Sequence, residues 1–171
     1  MSDLIEKIGS IDVVSLAEAQ GRHHNYNAVI TIEDPDCTFG LRVKNGMPQL
    51  VLQFNDIDRV DRHWVAPSID HVQQAIEFAR QHTNGKLLIH CAAGVSRSPA
   101  LALAIIADRL GADREIEAVD YLFSTYKSIE PNERVVACAD RILDRDRALL
   151  GSFRRKAAEV IKPKAKEKFS W

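Results

Sequence analysis

The chain has 171 residues, about one domain of ordinary size, enough to bury a core without disulfides or metals. Hydrophobic residues make up 46% and charged residues 27%, the balance of a soluble globular domain. The net charge of −1 supplies no global field for nucleic acid or an anionic membrane, so neither is expected as a partner. Cys37, Cys91 and Cys138 are odd in number and widely spaced, which argues against a disulfide framework and for a reducing, cytoplasmic setting. Asp3, Glu6 and Lys7 interrupt the apolar run that a leader segment needs. The most apolar stretch, residues 101–107, is too short to span a bilayer.

Residues 11–15 and 28–32 read as strands, being rich in β-branched residues and bounded by polar punctuation, and 50–54 reads as a third. Residues 55–67 carry Asp56, Asp58, Arg59, Asp61 and Arg62 and read as a loop. Pro67 and Ser68 open a helix, with Ile69, Val72, Ile76 and Ala79 at helical spacing, and Asn84-Gly85 closes it. Residues 86–90 form a short apolar run, the pattern of a buried central strand. A loop over 91–97 leads into a helix at Ser98-Pro99. That helix is apolar nearly all round and is capped by Gly111. Two more helices are predicted. One covers 114–127 with Ile116, Val119, Leu122, Phe123 and Tyr126 inward. The other covers 132–150 with Val135, Ala139, Ile142 and Leu143 inward. Strands alternating with helices predict an α/β fold with a central, mostly parallel sheet flanked by helices. The composition shifts at Gly151, where Arg154, Arg155, Lys156, Lys162, Lys164, Lys166 and Lys168 outweigh Glu159 and Glu167. Residues 1–150 are expected to form a single domain and 151–171 a basic tail, helical or frayed, solvated rather than docked on an acidic partner.

The chemistry concentrates in His90-Cys91-Ala92-Ala93-Gly94-Val95-Ser96-Arg97-Ser98, between the buried strand and the buried helix. A loop from strand to helix turns backbone N–H groups inward, and the helix dipole adds positive potential, so this is an anion site. Ala92, Ala93, Gly94, Val95 and Ser96 supply that cradle, and Gly94 admits a backbone conformation that other residues avoid. Arg97 adds a planar fork of donors for two phosphate oxygens. Cys91 sits at the mouth, where the field that binds a phosphate also favours the thiolate. Ser98 can donate a hydrogen bond to that sulfur, making it a better leaving group.

His90-Cys91, Gly94 and Arg97-Ser98 resemble the pattern His-Cys-x-x-Gly-x-x-Arg-Ser/Thr of the protein tyrosine phosphatase superfamily. The run Ala93 through Ser98 is most similar to its dual-specificity branch. Leu50 to Asp56 resembles the family's strand ending in the general-acid loop. Ile129-Glu130-Pro131-Asn132 resembles the Ile-x-Pro-Asn element before the last helix. The resemblance covers roughly 45–147. It implies the cysteine-phosphatase fold and a phosphomonoester hydrolase working through a phosphocysteine intermediate, with no metal or organic cofactor. Cys91 would be the nucleophile, Arg97 the phosphate clamp, and His90 a support for the loop and the thiolate. For the general acid, the strand-end position favours Asp56; spacing to Cys91 favours Asp58, and Asp61 stands third.

The expected partner is a phosphorylated protein or a small phosphomonoester; nothing in the sequence sets an oligomeric state. The absence of lysine in the loop weakens a phosphoinositide or polyphosphate reading. Two other functions fit a cysteine in an anion cradle: a rhodanese-like sulfurtransferase, which Arg97-Ser98 and Pro131-Asn132 argue against, and a non-catalytic phosphate-binding module. His23, His24, His63, His71 and His82 have no metal-ligand spacing.

Overall fold

Four strands form one sheet in the computed structural model, which describes residues 2–44 and 46–161. They are β1 (Ser10–Ser15), β2 (Ala28–Glu33), β3 (Gln49–Gln53) and β4 (Lys86–Cys91), in the order β1-β4-β2-β3. Every neighbouring pair is parallel. The chain therefore leaves all four strands at one edge of the sheet, the edge where open parallel sheets bind ligands. β4 lies between β1 and β2, and its residues from Leu87 to Cys91 are all buried, as its unbroken apolar run requires.

Among the described residues, seven α-helices cover the sheet: α1 (Ser2–Ile8), α2 (Leu16–Arg22), α3 (Ile69–Gln81), α4 (Arg97–Leu110), α5 (Glu115–Thr125), α6 (Glu133–Ile142) and α7 (Ala148–Val160). Ile30, Ile32, Leu87 and Ile89 pack into the large core with α3 to α7. Val14, Val29 and Leu88, of opposite parity, pack with Ala19 of α2 and with Leu41 in a smaller core on the other face. Twelve of the 14 residues of α4 are buried, so this helix is the hub of the larger layer. Ser68 caps α3 by accepting from the His71 N–H, and Gly111 ends α4 at φ +85°. Among the described residues, no helix is long and apolar enough to cross a membrane.

Three expectations are corrected. The helix predicted over 132–150 is two helices. Asp144, Asp146 and Arg147 adopt positive φ between them, and the Asp140 carboxylate accepts from the N–H groups of Arg147 (2.8 Å) and Leu150 (3.0 Å) to start α7 afresh. Ile116 is 60% exposed rather than inward, because Glu115 takes the inward position and pairs with Arg145 at 3.3 Å. Residues 151–160 are helical, one of the two forms expected, but they belong to α7 and are not merely solvated: Phe153 is buried against Phe123. Lys162, Lys164, Lys166 and Lys168 lie outside the described residues. Helices α1 and α2 are not predicted by the residue pattern. α2 starts on a capping box in which Ser15 accepts from the Glu18 N–H and Glu18 accepts from the Ser15 N–H.

Candidate active site

β4 ends on Cys91, and the loop that follows closes around its sulfur. Cys91 is 3% exposed; its Sγ accepts from the Gly94 N–H at 3.3 Å and lies 3.2 Å from the Ser98 Oγ. Gly94 has φ +73°, and a Cβ there would come within 2.9 Å of the backbone of Val14 and Ser15. Only glycine fits, because the loop is pressed onto the end of β1. The same contact is pinned by the Leu16 N–H, which donates to the Ala92 carbonyl at 3.1 Å.

Arg97 opens α4, and its guanidinium is buried. Nη1 donates to the Asp34 Oδ1 at 2.8 Å and to the Phe54 carbonyl at 2.7 Å. Its buried Nε has no hydrogen-bond partner among the described residues. An unmatched buried donor on a guanidinium that lines the same cleft as Cys91 suits an oxyanion. Asp34 follows β2 directly, at the same sheet edge as the loop, and its role was not visible in the sequence.

His90 points to the opposite face of the sheet from Cys91 and is buried. Its Nε2 is 2.9 Å from the Thr31 Oγ1, and Thr31 accepts from the Gln49 Nε2 at 2.8 Å. Its Nδ1 is buried with no hydrogen-bond partner among the described residues. Burial holds its pKa below the ordinary histidine value, so the ring is neutral near pH 7.

Asp56 and Asp58 both face Cys91 and Arg97 across a cleft of about 680 Å³. Asp56 is the anchored one: its Oδ1 accepts from the Ser96 Oγ at 2.7 Å and from the Asn132 Nδ2 at 2.9 Å. Asp61 does not line the cleft. It holds a local turn instead, accepting from the His63 N–H at 2.8 Å. Asn132 ties three segments together. Its side chain caps α6 by accepting from the Val135 N–H at 3.1 Å, and its own N–H donates to the Ser96 carbonyl at 3.2 Å. The Glu130 N–H donates to the Val95 carbonyl at 2.9 Å, so the segment before α6 lies along the Cys91 loop. Glu130, Pro131, Glu133, Phe153, Ala157 and Ile161 complete the cleft wall. The part played by α7 carried no signal in the sequence.

Residues 14–137 match the family described as dual specificity phosphatase, catalytic domain. The chain belongs to the dual-specificity phosphatase family. A human dual specificity protein phosphatase 5 is 35% identical over 83 residues, which are 47% of this chain and 21% of the human protein. The match thus spans about a fifth of that relative's length. Among solved structures, human tyrosine phosphatase-like serine/threonine/tyrosine-interacting protein superposes with a TM-score of 0.56 at 25% identity, covering 74% of this chain and 81% of that one. Human DUSP28 superposes at 0.61 with 16% identity over 80% of this chain and 90% of its own, a likeness of fold. In this dual-specificity phosphatase domain the matched residues include the strand-loop-helix that carries Cys91 and Arg97. The matched residues end within α6, so α7, which walls the cleft, lies beyond them.

Proposed function

We propose that the chain is a cysteine-dependent phosphomonoester hydrolase, acting on phosphorylated protein or a small phosphomonoester through a phosphocysteine intermediate. One observation carries the reading: the Cys91 sulfur, the Gly94 N–H, the Ser98 hydroxyl and the buried Arg97 guanidinium converge at the start of α4. The positive end of the helix and the guanidinium favour both a thiolate and a phosphoryl group at that point.

In the first step the Cys91 sulfur attacks phosphorus, an S–P bond forms and the bond to the leaving oxygen breaks. Arg97 and the backbone donors of the loop stabilise the equatorial oxygens. Asp56 delivers a proton to the leaving oxygen. Both of its described hydrogen bonds fall on Oδ1, so Oδ2 is the oxygen that carries the proton. In the second step water attacks phosphorus, its proton returns to Asp56, and the sulfur departs as a thiolate stabilised by Ser98. His90, neutral and tied to Thr31, keeps the end of β4 in place.

The test is turnover of para-nitrophenyl phosphate by wild type and Cys91→Ser, with vanadate binding measured on both. Loss of turnover with oxyanion binding retained is the expected result. Substantial activity in Cys91→Ser removes the nucleophile from the mechanism. Vanadate binding by a wild-type protein that hydrolyses nothing would instead support a non-catalytic phosphate-binding module. The family match leaves the sulfurtransferase alternative without support.

A further inference from the structure

The loop that carries both candidate acids, residues 55–65, begins and ends at one point. The Asn55 N–H donates to the Val65 carbonyl at 2.7 Å, and the Asn55 Oδ1 accepts from the Val65 N–H at 2.9 Å. Those two bonds close the neck of the loop. The Asn55 carbonyl accepts from the Ile57 N–H at 3.0 Å, which folds a three-residue turn with Asp56 at its apex. The remaining polar group, Nδ2, donates to the Asp34 Oδ1 at 3.3 Å. That same oxygen accepts from the Arg97 Nη1 at 2.8 Å, and Nη1 also donates to the carbonyl of Phe54, the residue before Asn55.

Asn55 is 7% exposed, so a polar group left unmatched there is costly, and each of its four polar groups has a partner. Its amide fits one way round: the Val65 N–H needs the oxygen, and the Asp34 carboxylate needs the N–H. An aliphatic residue would leave the neck half open. An aspartate would close the neck but set two carboxylates face to face. We propose that Asn55 is a positioning residue for the general acid. It fixes the acid loop to the carboxylate that holds the phosphate clamp, so that acid and clamp keep one spacing across the phosphoryl group. This role rests on the phosphatase reading above. A displacement on the order of 1 Å can cost about 10²-fold in rate, so the tether acts on turnover as well as on folding.

The experiment compares the full chain with Asn55→Asp, which keeps an oxygen for the Val65 N–H and replaces the donor to Asp34 with a second carboxylate oxygen. The Asp34 side chain is 45% exposed, so solvent screens the new carboxylate pair. Where that variant fails to fold, Asn55→Ala carries the same comparison. Each kcat/KM is measured on para-nitrophenyl phosphate and on phenyl phosphate, whose poor leaving group needs the acid. The variant should raise the ratio of the two at least about tenfold, a part of the 10² to 10⁴ that general acid catalysis supplies. Vanadate binding should stay near that of wild type, because Arg97 keeps both of its acceptors. Added to whichever of Asp56→Asn and Asp58→Asn removes the acid, Asn55→Asp should slow phenyl phosphate little further, since nothing is left to position. A wild-type ratio in Asn55→Asp overturns the proposal. So does an equal loss on both substrates that adds in full to the loss of the acid, the mark of a scaffold residue. A second measurement needs no turnover. Trp64 lies in the loop, and Trp171→Phe leaves it the sole tryptophan. In that background its fluorescence anisotropy decay should show wider nanosecond motion in the Asn55 variant than in wild type, and an unchanged decay overturns the proposal. If wild type hydrolyses neither substrate while Trp64 loosens in the Asn55 variant, the hydrolase reading fails and the tether between loop and clamp stands.

Discussion

On the proposed reading, the Arg97 guanidinium divides its donors between fold and substrate. Nη1 is engaged by Asp34 and the Phe54 carbonyl, while the buried Nε has no partner among the described residues. A lysine has one nitrogen and no planar fork, so it cannot satisfy Asp34 and grip two oxygens together. Arg97→Lys should weaken vanadate binding and lower kcat/KM at least about tenfold, and kinetics near wild type would exclude Arg97 from the reaction. Asp56 and Asp58 are separated by a different experiment. A general acid matters most for a poor leaving group and is worth about 10² to 10⁴ in rate. Asp56→Asn should slow phenyl phosphate far more than para-nitrophenyl phosphate and flatten the basic limb of the pH–rate profile. Should Asp58→Asn show this dependence instead, the role moves to Asp58. Cys91, Gly94, Arg97 and Ser98 could be found in the sequence because they lie within eight consecutive positions. Asp34 could not, because it meets Arg97 only through the order of the strands, and no local pattern marks a carboxylate 63 residues away.

At the scale of elements, α7 is where sequence and structure part most. The run from Leu143 to Arg147 has helical composition, and nothing local shows that Asp140 will reach forward to cap a new helix. Asp144 and Asp146 in positive φ are the signal in hindsight, since aspartate tolerates that region better than most residues. The basic residues of 151–160 face solvent, while Phe153, Ala157 and Leu150 pack on the core, so net charge masked an amphipathic helix. Phe153→Ala should cost about 3 to 5 kcal/mol in urea unfolding, the usual loss for a buried aromatic. A loss below about 1 kcal/mol would mean that α7 is not integral to the core. The strands, by contrast, were legible: short β-branched or apolar runs left β1 to β4 little choice.

For the molecule as a whole, the all-parallel sheet buries a histidine in mid-structure, and this makes stability depend on pH. His90 is held neutral by burial, below its ordinary value of 6.5. Well above pH 6.5 neither the folded nor the unfolded chain carries the proton here, and the full stability is present. As the pH falls, the unfolded chain gains a proton that the fold refuses, so stability drops toward the lower folded value. His71, also lowered by burial, acts in the same direction. Stability to urea should therefore fall from about pH 7.5 to about pH 5.5, by at most about 1.4 kcal/mol per pH unit for one site. A His90→Gln variant should show a shallower slope. An equally steep one would assign the effect elsewhere.

The loop after β4 leans on both ends of the domain: Gly94 presses against Val14 and Ser15, and the Ser96 carbonyl accepts from the Asn132 N–H. Synthesis is vectorial, so residues 91–97 leave the ribosome well after β1 but well before Asn132. A nascent chain halted short of Asn132 would carry the thiol while its loop still lacked one of its two buttresses. On the phosphatase reading, the site is thereby completed only after Asn132 is made, when β1 to β4 and α4 are already in place to hold it.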